Sequence, residues 1–194
     1  MSKPTIRTIP PEAVEHLRAA DPVMAGIVQR LGVIEYPVDP DLWRSIVGSI
    51  VGQQLSVRAA STIRSRVAAL GGNGFPTPEA IVGISEEVLR GCGLSRAKTS
   101  YVQAVARSWL NGELVPADLA KAPDEDVIKS LVTLRGVGRW TAEMVLIFSL
   151  GRTNVLAVDD LGIRVAVQKT YNLADLPSKA ELHRIGEPWE PYKS

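Results

Sequence analysis

Apolar residues recur along this chain at intervals of three and four, and most runs so spaced open on a residue able to cap a helix. In "ADPVMAGIVQRLG", Asp21 precedes Pro22, which predicts an N-cap followed by proline at the first helical position. "VDPDLWRSIVGSIVGQQ" repeats the device and predicts Asp39 as the cap, with Pro40 opening a long apolar helix. Ser56 is expected to cap "VRAASTIRSRVAALGG", which stops at paired glycines. Thr77–Pro78 starts a short helix, Ser95 caps "RAKTSYVQAVARSWLNG", and Pro123 opens "DEDVIKSLVTL". "RWTAEMVLIFSLG" is apolar almost all round, the mark of a central helix. Only "TNVLAVDD" alternates, weakly and briefly, as a strand would. The pattern predicts an all-α protein of about ten helices with short Gly- and Pro-rich connections and no internal repeat.

Composition narrows the picture. The chain has 194 residues, enough for one domain or two joined lobes. We expect a single unit over 1–194, with one lobe from about 1–39 plus 151–194 and the other from about 40–150. No apolar run reaches the roughly eighteen residues a membrane span needs, so no membrane role is expected. The opening "MSKPTIRTIPPEAVEHL" lacks the apolar core of a secretory signal, which predicts an intracellular protein: cytoplasm or nucleoid in a prokaryote, nucleus in a eukaryote. Cys92 is the sole cysteine, which excludes a disulfide framework and an iron–sulfur cluster. His16 and His183 lie far apart, without metal-ligand spacing. Net charge is +1, so any nucleic-acid partner must be gripped by local features rather than by bulk charge.

The most informative stretch is "LRGVGRWTAE", residues 134–143. A dinucleotide fold would need a third glycine where Thr141 stands and a strand ahead of the turn, whereas "DEDVIKSLVTL" has helical spacing. What remains is helix, Gly-Val-Gly turn, helix. Gly136 and Gly138 allow a tight corner, and the amides opening the second helix, with Arg139, can hold a phosphate oxygen. An ordinary helix–turn–helix corner explains the same residues.

The hairpin 134–139, followed nineteen to twenty residues after Trp140 by the aspartates of "VDDLGIR", resembles the helix-hairpin-helix DNA glycosylase superfamily. "IVGSIVGQQLSVRAA", "LRGCGLSRAKTSYVQAVARSWLNGEL" and the closing "WEPYKS" match in the same order, so the likeness covers most of the chain from Leu42 onward. The nearest branch is the DNA-3-methyladenine glycosylase II type. The resemblance implies two helical lobes flanking a DNA-binding cleft, and a monomeric enzyme that flips alkylated purines such as 3-methyladenine or 7-methylguanine out of duplex DNA. It would hydrolyse the N-glycosidic bond and leave an abasic site for base-excision repair. Counting without a gap from Trp140 places the catalytic aspartate at Asp160; aligning on the downstream arginine favours Asp159. Asp160 is preferred, with Asp159 as the alternative. Bifunctional members carry lysine where Trp140 stands, so a monofunctional hydrolase is implied. Trp140 then serves to stack on a cationic alkylpurine, with Met144 one turn on as a softer wall of the base pocket, although a core role suits a tryptophan as well.

By the same likeness, Gln53 and Gln54 form the wedge that fills the vacated stack, Gln54 matching the inserted residue more closely. Gly136, Gly138, Arg139 and Thr141 form the phosphate-binding hairpin. The carbonyls of Val132, Leu134 and Val137 would hold a structural sodium or potassium ion, and no other cofactor is required. Arg58, Arg96 and Lys98 are candidate DNA contacts, or simply solvated charges. Larger members carry a β-rich domain ahead of this core, and relatives continue past "WEPYKS" into a final helix that adds aromatics to the cleft. Those differences keep two other readings open: a non-catalytic module that recognises damaged DNA, and a glycosylase of other base selectivity.

Overall fold

The computed structural model describes residues 5–32, 34–72 and 74–194; the first four residues of the expected first lobe lie outside them. Two short strands, β1 (Thr5–Thr8) and β2 (Glu35–Val38), accompany twelve helices among the described residues. The first of these are α1 (Pro11–Ala20), α2 (Pro22–Leu31), α3 (Leu42–Gly52) and α4 (Val57–Ala69). α5 (Pro78–Gly83), α6 (Glu86–Gly91), α7 (Arg96–Leu110) and α8 (Pro116–Lys121) follow. α9 (Asp124–Val132), α10 (Arg139–Phe148), α11 (Leu161–Thr170) and α12 (Lys179–Gly186) complete the set, and a 3-10 turn spans Glu187–Trp189. The protein is all-α in class. None of the helices among the described residues is long and apolar enough to cross a membrane.

Side-chain oxygens set most of the helix starts, as expected. Asp21 accepts the amides of Val23 and Met24 at 2.8 and 3.3 Å. Ser56, Thr77 and Ser95 accept those of Ala59, Ala80 and Lys98 at 3.2–3.3 Å. The start of α3 is a correction: its cap is Asp41, which accepts the Arg44 amide at 3.0 Å. Asp39 has other partners. Its carboxylate receives the Asp41 amide and the Arg44 guanidinium, and its backbone carbonyl receives Ser149 Oγ at 2.6 Å.

The strands are a second correction. "TNVLAVDD" forms no strand; Val155, Leu156, Ala157 and Val158 are all buried in succession, which is packing rather than alternation. β1 and β2 instead pair antiparallel, Thr5 opposite Val38 and Thr8 opposite Glu35. Four residues each, with β1 wholly exposed, leave no period for the sequence to display.

The fold divides into two compact units. One is Asp39–Leu150; the other joins Gly151–Ser194 to the described residues before Asp39. The first is built on α3, α7, α9 and α10. Ile46, Val47, Ile50, Val102, Leu131, Val145 and Leu146 are buried there, and the Trp43 indole donates to the Pro76 carbonyl at 2.8 Å. The second unit packs Leu17, Leu156, Val158, Val167, Leu182 and Trp189 together. Beside them Asp21, 7% exposed, accepts Trp189 Nε1 at 2.8 Å and the Tyr171 hydroxyl.

Candidate functional site

The turn between α9 and α10 places its two glycines under different constraints. Gly136 has φ 88°, and a Cβ there would stand 2.2 Å from the Tyr101 ring. Only glycine satisfies both the left-handed backbone and the aromatic lying against it. Gly138, the N-cap of α10, has an ordinary φ of −95°, and a Cβ on it would meet nothing within 4 Å. The fold therefore does not demand glycine at 138; what it leaves there is open space beside the start of a ten-residue helix that no side chain caps. Backbone amides and the positive end of the helix dipole face such a space, which is the arrangement that receives an anion.

Arg139 opens α10, and its guanidinium is already paired with two carboxylates of the same chain. Nε donates to Glu143 at 3.0 Å, and the terminal nitrogens grip the Glu125 carboxylate. Glu143 is 3% exposed, a buried carboxylate in a helix read from sequence as apolar. Arg139 was its only signal there, at i−4. Thr141, expected at the phosphate, is 2% exposed, and its hydroxyl accepts the side-chain amide of Gln53 at 3.1 Å. Thr141 acts inside the hairpin's support. The carbonyls of Val132, Leu134 and Val137 are hard oxygen donors of the kind an alkali ion takes. That of Leu134 accepts the Val137 amide at 3.0 Å and keeps a second lone pair.

The turn between α3 and α4 separates the two glutamines. Gln53 points back: its amide nitrogen donates to the Gly136 carbonyl at 2.9 Å as well as to Thr141. Gln54 is exposed, with φ 56°, a left-handed backbone held by a non-glycine residue. Such strain persists only where the surroundings impose it, and it clusters at functional positions. Exposed apolar Leu55 and Val57 follow Gln54. Lys98, weighed from sequence as a DNA contact, is committed to this turn instead. Its ammonium donates to the carbonyls of Val51 and Gln53 at 2.9 and 2.7 Å, and burial pulls its pKa below the usual lysine value. Arg96 is paired with Glu86 at 3.4 Å, and Arg58 is an exposed residue of α4.

α10 also carries the candidate base pocket. Thr141, Ala142, Glu143, Val145, Leu146 and Ile147 are buried, whereas Trp140 and Met144 are half-buried and Phe148 is 42% exposed. These three stand four residues apart and share one face. With every other position after Arg139 buried, α10 leaves a polarizable, aromatic stripe outside the core. Phe148 was not singled out from sequence, although the spacing from Trp140 and Met144 would have found it.

In the second unit the two adjacent aspartates part ways. Asp160 is the N-cap of α11, half-buried, its carboxylate accepting the Ile163 amide at 3.0 Å. Asp159 is exposed and ion-paired with Lys179 at the start of α12. A helix terminus thus fixes the orientation of the Asp160 carboxylate, and Lys179 pairs with that of Asp159.

Residues 47–191 match the family model of the HhH-GPD superfamily base excision DNA repair proteins. DNA-3-methyladenine glycosylase 1 of Schizosaccharomyces pombe is 34% identical over 155 residues, covering 78% of this chain and 68% of the relative. The solved 3-methyladenine DNA glycosylase of the same yeast, in complex with abasic DNA, superposes with a TM-score of 0.88 at 30% identity, over 94% of this chain and 91% of that one. A DNA-3-methyladenine glycosidase from Bacillus halodurans gives 0.82 at 34% identity, over 97% and 87%. With residues 47–191 matched by the family model and a relative 34% identical over more than two thirds of either chain, this chain belongs to the HhH-GPD superfamily of base excision DNA repair proteins.

Proposed function

We propose that this chain is a monofunctional DNA glycosylase that hydrolyses the N-glycosidic bond of alkylated purines in duplex DNA, of the 3-methyladenine and 7-methylguanine kind. The observation that carries the reading is Asp160, a half-buried carboxylate oriented by the Ile163 amide at the start of α11. Cleavage of a glycosidic bond develops oxocarbenium charge on the sugar, and a positioned carboxylate stabilises that charge and the water that attacks it. An alkylated purine is already cationic and leaves without a strong general acid.

Trp140 and Met144 serve the base. The indole face attracts a positively charged ring, and the thioether packs against it. Trp140 has no amine, so no Schiff base with the sugar forms and the strand stays intact after the base departs. Gln54 fills the space vacated by the flipped nucleotide. Gly138 and the first amides of α10 take a phosphate, and the carbonyls of Val132, Leu134 and Val137 suit a sodium or potassium ion that would bridge to it. No further cofactor is needed. The protein works as a monomer inside the cell, where its DNA substrate lies.

The test is product analysis on duplex DNA treated with a methylating agent. Expected are free methylpurine in solution, a strand that breaks only on later alkali or heat, and no adduct trapped by borohydride. Binding to abasic DNA without base release would instead mark a damage-recognition module, and a borohydride-trapped adduct would mark a lyase.

A further inference from the structure

Gln53 and Lys98 sit where the gap-filling turn meets the hairpin. The side-chain amide of Gln53 spans from the end of α3 to the Gly136 carbonyl at 2.9 Å and the Thr141 hydroxyl at 3.1 Å, eighty-three and eighty-eight residues away in sequence. Its own backbone carbonyl accepts Lys98 Nζ at 2.7 Å, and that ammonium also takes the Val51 carbonyl. From α4, Arg64 Nε donates to the Gly48 carbonyl at 2.9 Å, and its guanidinium lies over Gly52, where a Cβ would be 2.6 Å from Nη2. The last turn of α3 is therefore clamped from three sides, by α4, α7 and the hairpin. Beyond the clamp stands Gln54 in its left-handed conformation.

Resting on the function proposed above, we infer that Gln53 is a positioning residue that locks the gap-filling turn to the phosphate-gripping hairpin, so that the phosphate contact and the insertion of Gln54 act as one rigid unit. Gly136 gives the link its geometry. The carbonyl that receives Gln53 belongs to the residue whose φ of 88° re-aims the chain toward Gly138. A shift of the hairpin on its phosphate is thereby transmitted to the tip, and a loosened tip no longer follows the grip. Lys98 serves the same end by holding the Gln53 carbonyl while the Gln53 side chain reaches the other way. None of these groups touches the reacting bond; each acts through Gln54 and the hairpin.

The test compares equilibrium binding of the full chain to two duplexes of one sequence, undamaged and carrying a tetrahydrofuran abasic analogue, by fluorescence anisotropy. Gln53→Ala is expected to lower affinity for the abasic duplex about tenfold while leaving the undamaged duplex within about twofold. Gln53→Glu, of the same size but unable to donate, is expected to match it. Thr141→Val, which removes one acceptor and keeps the fold should Gln53→Ala not, is expected to shift the same ratio by less. The double variant is expected to be no worse than Gln53→Ala alone. Equal losses on both duplexes, no change on either, or additive effects in the double variant would overturn the inference. A wild-type chain that prefers the abasic duplex but releases no base counts against the proposed activity alone, and the variant ratios still decide this one. A wild-type chain without abasic preference overturns both.

Discussion

Gly136 and Gly138 stand two residues apart and answer to different demands. Gly136 is held by its own fold, through a φ of 88° and the Tyr101 ring 2.2 Å from where a Cβ would stand. Gly136→Ala is expected to cost about 2–4 kcal/mol, from left-handed strain plus overpacking, read by denaturant unfolding. Gly138→Ala, with open space around it, is expected to stay within about 0.5 kcal/mol of wild type yet weaken duplex binding several-fold. Gln54 offers the converse pair. Its φ of 56° stores strain that Gln54→Gly relieves, so that variant is expected to be more stable by up to about 1 kcal/mol. Gln54→Ala keeps the strain and stays near wild type in stability. Both variants lose the plug, and both are expected to excise more slowly; excision that follows stability rather than side-chain length would contradict the role given to Gln54.

Among the elements, those with local causes were legible in the sequence. Asp21, Ser56, Thr77 and Ser95 cap from within three residues, and a cap, a proline and a helical spacing are read together. Asp41 caps α3 because the Asp39 carboxylate is taken by the Arg44 guanidinium and the Asp41 amide. β1 and β2 escaped because their pairing joins segments some thirty residues apart. Within the site, the hairpin, the aspartate pair and Trp140 were legible as motifs. The inward turn of Gln53, the capture of Lys98 and the burial of Glu143 depend on partners that no local pattern marks. α2 shows how far a legible cap can reach. Burial alone would raise the Asp21 pKa, but hydrogen bonds from Trp189, Tyr171 and the amides of Val23 and Met24 outweigh it and hold it below the usual value. A carboxyl depressed in the folded state stabilises the protein above its unfolded pKa, and that contribution is lost as pH falls through the folded value. Asp21→Asn is accordingly expected to cost about 2 kcal/mol at pH 7, with the gap narrowing once pH drops below about 4, read from urea midpoints across that range.

The molecule as a whole has a net charge of +1, and three cations near the hairpin and wedge are held by partners within the fold. Arg139 is held by Glu125 and Glu143, Arg96 by Glu86, and Lys98 by two carbonyls. Binding that relies on backbone amides releases few counterions, so the slope of log affinity against log salt for undamaged duplex is expected to be shallow, about −2 to −4. A steep slope would mean that these ion pairs open on DNA.

Asp160 as the catalytic carboxylate is tested by single-turnover release of methylpurine from methylated duplex. Asparagine caps a helix as well as aspartate does, so Asp160→Asn keeps the cap of α11 while removing the charge. The rate of Asp160→Asn is expected to fall by about 100-fold or more, with abasic-duplex affinity within a few-fold of wild type, while Asp159→Asn remains active. Normal release by Asp160→Asn, or loss in Asp159→Asn alone, would contradict it.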